Sequence, residues 1–287
     1  MLLATTKSNS QVLIDGINYN LNDNEMSAEV VSDGTYSGNY NGDIVIPPSV
    51  IYDDKNYYVK SIGESAFIGC TGLASITIPN NVTKIGNYAF AYCTGLKSIS
   101  IPDSVKSISD NTFEGCTGLL SAAIPSNVKS IGDYAFKGCT GLTTIIIPNS
   151  VTNISKHSFE NCTCLTSVMI GTGVKSIGAN AFQGCVSLKS LNIPNSVTSI
   201  GESAFFGCAN LTSAYFGNGV TIIGENAFYG NALSEIRMAD GNPKYDSKDS
   251  CNAIIETATN TLVLGCSNTI IPNSVTSIGY KAFSGCS

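Results

Sequence analysis

Residues 59–104 read VKSIGESAFIGCTGLASITIPNN followed by VTKIGNYAFAYCTGLKSISIPDS, two 23-residue segments of one pattern. The shared pattern is V-x-x-I-G-x-x-A-F-x-G-C-x-x-L-x-x-I-x-I-P-x-S. Eight copies in phase open at Val59, Val82, Val105, Val128, Val151, Val174, Val197 and Val220, and a ninth runs from Val275 to Ser287. Because a fixed period of this length is the signature of stacked repeat architectures, it predicts a solenoid.

Each coil of the pattern contains one clear strand. In the first copy of the segment L-x-x-I-x-I, the apolar residues are Leu73, Ile76 and Ile78. The last two alternate with a polar residue just before Pro79. Such alternation is typical of a strand with one buried face, and proline ends it because it has no N–H to donate to a neighbouring strand. The V-x-x-I-G segment predicts a second, shorter extended piece.

The segment x-x-A-F-x-G-C between these strands is too short for an independent helix, so we expect one helical or 3₁₀ turn. One coil cannot bury its own apolar face, and stacked coils bring their strands together as a parallel sheet with neighbours about 4.8 Å apart. The expected fold is therefore an α/β solenoid, mainly β and right-handed. Its continuous aromatic spine consists of Phe67, Phe90, Phe113, Phe136, Phe159, Phe182, Phe205, Phe228 and Phe283.

The regular repeats occupy residues 59–238. One irregular part precedes them, and two further parts follow them. Residues 1–58 do not repeat and carry a hairpin signal at Asp15-Gly16, so they predict an N-terminal β-hairpin cap. Residues 239–274 predict an enlarged coil with a β-hairpin, and residues 275–287 form a truncated ninth repeat whose apolar end is uncapped. This end is a candidate surface for self-association.

Composition excludes several classes of protein. The formal charge of −6 argues against a nucleic-acid partner, because a phosphate-binding face needs clustered Lys and Arg. No apolar run is long enough to span a membrane. The opening MLLATTKSNS lacks the basic and apolar regions of a signal peptide, so in an exported protein the signal would be absent or truncated here.

The cysteines raise the question of a metal or redox site. Of 11 cysteines, eight share one repeat position, where Asn231 stands in another copy; they are Cys70, Cys93, Cys116, Cys139, Cys162, Cys185, Cys208 and Cys286. Asparagine can replace cysteine as a hydrogen-bonding group but not as a thiolate. The pattern therefore favours small buried thiols that donate to turn carbonyls over a metal ladder, and no cofactor or metal is predicted.

Cys251 and Cys266 stand outside this pattern. A hairpin centred on Ala258-Thr259 places them directly opposite each other, at a separation that a disulfide can bridge. They form a candidate disulfide, and its formation depends on an oxidising compartment.

Catalytic motifs are absent from the sequence. His157 is the only histidine and is expected to lie exposed in a turn. No nucleophile elbow or phosphate-binding loop occurs, so we expect no enzyme. Paired carboxylates that meet across coils remain an open alternative, although no motif points to them.

Two columns of strand residues are expected to face outward. The hydroxyl column consists of Ser75, Ser98, Ser121, Thr144, Ser167, Ser190, Ser213 and Glu235. The second, which we call the variable column, consists of Thr77, Ser100, Ala123, Ile146, Met169, Asn192, Tyr215 and Arg237. Exposed apolar residues rimmed by polar ones indicate an interaction site, whereas drift at unconstrained positions is the alternative. The variable column is the candidate ligand-binding surface.

The repeat cadence of residues 59–287 resembles the BspA-like leucine-rich-repeat family, as do the DGINYNL and GNPKYDSKDSCNAIIETATNTL segments. In this sequence the cysteine precedes the strand, whereas ordinary leucine-rich repeats have their Asn or Cys after it, so the convex-side geometry of ordinary horseshoe repeats does not carry over. The resemblance implies a secreted or surface-attached protein of host-associated microbes, with relatives linked to adhesion. No particular ligand or catalytic residue carries over with it.

These observations lead to two hypotheses of function. The first is a non-catalytic, adhesin-like binding module, outside the cell or on its surface, that presents its solenoid face to a host or microbial protein or glycan. The alternative is a structural spacer or display stalk within a longer surface protein.

Overall fold

The computed structural model describes residues 11–34, 38–247 and 250–285. Residues 1–10 of the expected cap and Cys286 and Ser287 of the ninth repeat lie outside the described residues. The repeats form a solenoid with a 23-residue spacing, which confirms the predicted architecture. Its core is one continuous apolar cluster that runs along the stack from the cap to the last coils.

The N-terminal part is a sheet laid against the first coil. Its strands are β1 (Gln11–Ile14), β2 (Ile17–Asn22), β3 (Ser27–Val30), β4 (Gly42–Val45), β5 (Ser49–Tyr52) and β6 (Lys55–Ile62). Five of them pair in the order β1-β2-β3-β6-β5. The β1–β2 turn is Asp15-Gly16, with φ of 48° and 80°, as tight hairpins require. Tyr40 packs on Phe67 with ring centroids 4.8 Å apart and thereby covers the end of the aromatic spine.

The repeats contribute two strands to each coil. They are β7 (Leu73–Thr77), β8 (Lys84–Ile85), β9 (Ser98–Ser100), β10 (Ser107–Ile108), β11 (Ser121–Ala123), β12 (Ser130–Ile131), β13 (Thr144–Ile147), β14 (Asn153–Ile154), β15 (Ser167–Ile170), β16 (Ser176–Ile177), β17 (Ser190–Ile193), β18 (Ser199–Ile200), β19 (Ser213–Phe216), β20 (Ile222–Ile223) and β21 (Glu235–Met238). The odd-numbered strands carry the two outward columns. The even-numbered strands β10 to β20 form one parallel sheet on another side of the coil.

The phenylalanine spine is present along the eight regular coils. Consecutive rings from Phe67 to Phe228 are stacked, with centroids between 5.1 and 5.6 Å apart. Stacking over these distances follows from the spacing of the coils, which the parallel backbone pairing sets. Phe283, predicted to extend the spine, does not stack on Phe228; it packs beside Gly265 instead.

The prediction of one helical or 3₁₀ turn in each coil is wrong. The described part of the chain contains no α-helix. Each turn segment is a series of β-turns, as between Ile68 and Ser65, whose N–H and carbonyl lie 3.1 Å apart. Ser65 and Gly69 have φ of 55° and 69°, and a right-handed helix cannot continue through left-handed residues. The N–H groups on alternate residues therefore turn toward the next coil, as Phe67 does toward the carbonyl of Ala89, at 2.8 Å.

The enlarged coil adds β22 (Tyr245–Asp246), β23 (Ile254–Glu256) and β24 (Thr261–Leu264), followed by β25 (Ser277–Ile278) in the last repeat. These four strands form a separate sheet in the order β22-β23-β24-β25. β23 and β24 make the expected antiparallel hairpin, with a register shift between Ile254 and Ile255. β25 pairs in parallel with β24 rather than with a repeat strand.

Candidate functional site

The variable column lies on the exposed face of the odd-numbered strands. All eight predicted residues are exposed there: Thr77, Ser100, Ala123, Ile146, Met169, Asn192, Tyr215 and Arg237. The strand registers bring them together in groups, pairing Ser100 with Ala123 and Ile146 with Met169, and joining Asn192, Tyr215 and Arg237 in one row. The residues therefore lie side by side within each group, and Thr77 pairs with Val45 of the cap.

The centre of this column is apolar. Ile146 and Met169 occupy paired positions on β13 and β15, and each side chain is 62% exposed. Ala123, which precedes them in the column, has a small side chain and leaves the side of this apolar pair uncovered. Side chains of this size in adjacent exposed positions form a continuous apolar surface of the kind that marks an interaction site.

Sequence reasoning missed two apolar residues of this face. Val45 pairs with Thr77 and is 66% exposed, and Ile270 stands at the matching position of the last coil with 71% exposed. Their signal was present in the sequence, because Val45 in DIVIP and Ile270 in TIIP stand directly before an Ile-Pro pair, as the variable column does in most repeats. The exposed column therefore extends to the cap strand β4.

The C-terminal end of the column borders two shallow depressions. One, of about 240 Å³, is lined by residues of β17, β19 and β21 that include Asn192, Tyr215 and Arg237. The other, of about 370 Å³, lies between β21 and the enlarged coil and is also lined by Tyr215 and Arg237. The Arg237 Nε lies 2.8 Å from Glu235 Oε1, and both side chains are well exposed. Such an exposed ion pair contributes little to folding stability, so the guanidinium can exchange this partner for a ligand.

The hydroxyl column forms the other half of the same face. Its side chains are exposed along most of the stack, and Ser75 Oγ donates to Asp43 Oδ1 of the cap at 2.5 Å. The outward face is therefore two residues wide, with a polar row beside the variable column.

The cysteine column is a set of hydrogen-bond donors between coils. Each thiol from Cys93 to Cys208 donates to the carbonyl oxygen of the phenylalanine in the preceding coil, at 3.0 to 3.2 Å. Burial raises the pKa of Cys116 to about 12, which keeps the thiol protonated. This confirms the interpretation as donors to turn carbonyls for the six cysteines from Cys93 to Cys208; Cys70, in the first coil, has no preceding repeat to donate to, and Cys286 lies outside the described ranges. Within those ranges, no three His, Cys, Asp or Glu side chains lie close enough together to hold a metal ion.

Asn231 departs from the role expected for it. Its side chain is buried, at 4% exposed, yet neither amide atom has a hydrogen-bond partner among the described residues. The expected replacement of the thiol donor by the asparagine amide is therefore wrong. The eighth coil differs from the seven before it at this position.

In the structure, Cys251 and Cys266 are both free, buried thiols and do not form the candidate disulfide. The register shift at Ile254 moves the two strands by one residue, so the cysteines are not directly opposite each other. Cys266 Sγ donates instead to the carbonyl of Asn252, at 3.3 Å.

The expectation of an exposed turn histidine is also wrong. His157 stacks on Tyr134, with ring centroids 4.6 Å apart, and its Nδ1 lies 2.9 Å from Glu160 Oε2. Lys137 Nζ reaches the same carboxylate oxygen at 2.9 Å, and this hydrogen bond raises the pKa of Lys137. Asn180 Nδ2 lies 3.3 Å from His157 Nε2. The imidazole is thus a half-buried member of a polar cluster on the turn side, away from the variable column.

No helix in the described ranges is long and apolar enough to cross a membrane.

Among curated protein sequences the chain has no match. The family model of the BspA type leucine rich repeat region matches residues 54–165, 129–250 and 260–287, in six copies.

Solved structures of bacterial leucine-rich-repeat proteins share the fold. A leucine-rich repeat protein from Bacteroides ovatus is 31% identical, with a TM-score of 0.76 over 96% of this chain and 80% of its own. A leucine rich cell surface protein from Faecalibacterium prausnitzii is also 31% identical, with a TM-score of 0.65 over 97% of this chain and 75% of its own. The chain belongs to the BspA-type leucine-rich-repeat family.

Proposed function

We propose that this chain is a non-catalytic, adhesin-like binding module that works outside the cell or on its surface. The variable column contacts the ligand, a protein or glycan of a host or microbial surface. Membership of the family supports a repeat module, and the relative from Faecalibacterium prausnitzii is described as a cell surface protein. Fold and family alone name no ligand, so the proposal rests on the exposed face itself.

The observation that carries the proposal is the pairing of Ile146 with Met169, followed along the column by Tyr215 and Arg237. Large apolar side chains on the solvent face of a strand gain nothing from folding when they are left in water. Aromatic and arginine residues, in contrast, are enriched among the residues that dominate binding energies at interfaces. The stacked coils hold the four side chains on two short parallel sheets, β13-β15 and β17-β19-β21, and a fixed backbone lowers the entropy that is lost when a ligand binds.

The test is a binding screen on immobilised matrix proteins and glycans, followed by titration of each ligand found. The variant carries Ile146→Ser, Met169→Ser, Tyr215→Ser and Arg237→Ser. We expect affinity to fall by at least about 30-fold, the loss of roughly 2 kcal/mol that a hot-spot cluster carries. The matched control carries Tyr92→Ser and Ile222→Ser, which remove exposed apolar side chains, 47% and 57% exposed, outside the column. Equal binding by both variants would refute the role of this face.

The spacer or display stalk is the second candidate. It is favoured by the regular hydrogen bonding and ring stacking from Phe67 to Phe228, which join the coils into one rigid body. A spacer needs no ligand of its own. Failure of the unmodified chain to bind any protein or glycan would therefore support it.

A further inference from the structure

The turn segments carry a second ladder of hydrogen bonds along the stack. At each junction between regular coils, three backbone N–H groups of one turn donate to three carbonyls of the next. At the seventh junction the donors are Ser203, Phe205 and Gly207, and the acceptors are Glu225, Ala227 and Tyr229, at 2.8 to 2.9 Å. The same three-bond pattern holds at all seven junctions from the first coil to the eighth.

The ladder stops at the eighth coil. The equivalent N–H groups of Asn226, Phe228 and Gly230 have no acceptor among the described residues. The enlarged coil accounts for the break, because Gly265 N–H donates at 2.7 Å to the carbonyl of Ala282, the position that would otherwise receive Phe228. Asn226 and Phe228 line the space between the eighth and last coils, whereas Gly285 of the last coil packs against Gly230 and Asn231.

That space is a cleft of about 450 Å³ on the turn side of the solenoid. Tyr229 and Tyr280 lie on its two sides, and Val263 and Leu264 contribute apolar lining. Lys281 Nζ lies 5.1 Å from the ring of Tyr229 and 4.9 Å from that of Tyr280. A cleft of this volume, lined by aromatic and apolar groups with a few fixed polar groups, has the properties of a binding site.

We propose that this cleft binds a peptide segment of another polypeptide in the turn conformation of a regular coil. Two alternate carbonyls of the segment accept hydrogen bonds from Asn226 and Phe228. An aromatic side chain of the segment displaces Lys281 Nζ, which donates to Asn226 Oδ1 at 3.1 Å, from between Tyr229 and Tyr280. As in strand addition, main-chain bonds hold the peptide and pockets select its side chains.

The seven closed junctions identify the occupant. In each, the same row of donors meets carbonyls on alternate residues of a polypeptide, a spacing that a peptide backbone supplies. Unpaired backbone donors away from water are costly, and Phe228 is buried in the described structure. This site lies on the turn side and is independent of the function proposed for the variable column.

The test measures amide hydrogen exchange of the full chain by NMR. The probe is the chain's own turn sequence, residues 202–208, made as the peptide ESAFFGS with serine in place of the cysteine. The control peptide has proline in place of the residue equivalent to Ser203, whose φ is 53°. Proline fixes φ near −65° and so prevents the turn conformation.

In the free protein, the amides of Asn226 and Phe228 are expected to exchange at least about tenfold faster than those of Ser203 and Phe205. The ESAFFGS peptide is expected to slow the first two by at least about tenfold, and the proline peptide to leave them unchanged. Equal protection of both sets in the free protein would overturn the proposal. So would the absence of any effect of the peptide at millimolar concentration.

A pair of variants tests whether the peptide binds in the cleft. Ser284→Trp fills the cleft from its lining and is expected to abolish peptide protection. Gln183→Trp places the same ring at the equivalent position of the sixth coil, where the junction is closed, and serves as the control. Unchanged peptide binding to folded Ser284→Trp would place the peptide elsewhere and reject the cleft. Should this variant fail to fold, the exchange comparison in the unmodified chain still decides the proposal.

Discussion

Phe136 shows what a single position of the repeat contributes. Its ring is fully buried and stacks between Phe113 and Phe159, at 5.1 and 5.2 Å. Phe136→Ala removes contacts with two coils and leaves a cavity that the stack cannot close, so we expect a loss of about 3–5 kcal/mol in the free energy of unfolding. Denaturant titration measures it, with exposed Tyr92→Ala as the control. An unchanged midpoint for Phe136→Ala would show that the spine is not core.

The buried thiols give the chain a predictable response to alkaline pH. In the unfolded chain Cys116 ionises near its ordinary pKa of 9.0, whereas burial raises its folded pKa to about 12. The folded state therefore holds the proton more tightly. This contribution to stability is complete below pH 9 and is lost as pH rises from 9 toward 12.

We expect unfolding midpoints measured from pH 7 to 11 to fall above pH 9. Cys116→Ser keeps a hydrogen-bond donor but cannot ionise in this range, so its midpoint should fall less steeply. The same slope in both proteins would mean that Cys116 is not protonated and buried as described.

Two errors at the residue scale have a common cause. The repeat pattern predicts which residues stand at equivalent positions, but it does not fix the contacts of side chains at variable ones. His157 is drawn into its cluster by Tyr134 and Asn180, each one coil away, and by Glu160 on its own turn. Asn231 fills the cysteine position, but its amide makes no hydrogen bond among the described residues, although the junction with the preceding coil is intact.

At the scale of elements, the turns depend on two left-handed residues in each coil, and the first of them is never glycine in the regular coils. Ser203, with φ of 53°, occupies this first position, and asparagine occupies it in three other coils, at Asn111, Asn180 and Asn226. A β-branched side chain is strained there, so Ser203→Val is expected to cost about 1–2 kcal/mol. Ser203→Asn should be nearly neutral. Thermal unfolding compares the two, and equal midpoints would contradict the requirement for a left-handed residue.

The hairpin of β23 and β24 illustrates how an element can be predicted while its register is not. Its position follows from the strand–turn–strand pattern, but the bulge at Ile254 and Ile255 follows from packing against neighbouring strands that the pattern does not specify. The predicted consequence is that Cys251 and Cys266 stay reduced. Intact mass should be the same with and without reductant, and a native mass lower by two hydrogen atoms would show the disulfide instead.

For the whole molecule, the 23-residue period was sufficient to predict the stack, its spine and the exposed face. The period does not predict the broken junction after the eighth coil. The interval from Val220 to Val275 reveals extra length, but not that β24 would take the place of a coil and pair with β25. The cleft is therefore a property of how two sheets meet, which no single repeat encodes.

Two exposed isoleucines carry a prediction about association of the whole 287-residue chain. Ile271 and Ile278 are 51% and 49% exposed. Burying both against a second copy removes apolar surface from water, which favours association. We expect sedimentation to show concentration-dependent association that Ile278→Lys weakens, because a buried lysine loses its hydration. Ile222→Lys, on an even-numbered strand, should leave association intact, and a chain that stays monomeric at all concentrations would exclude this surface as an interface.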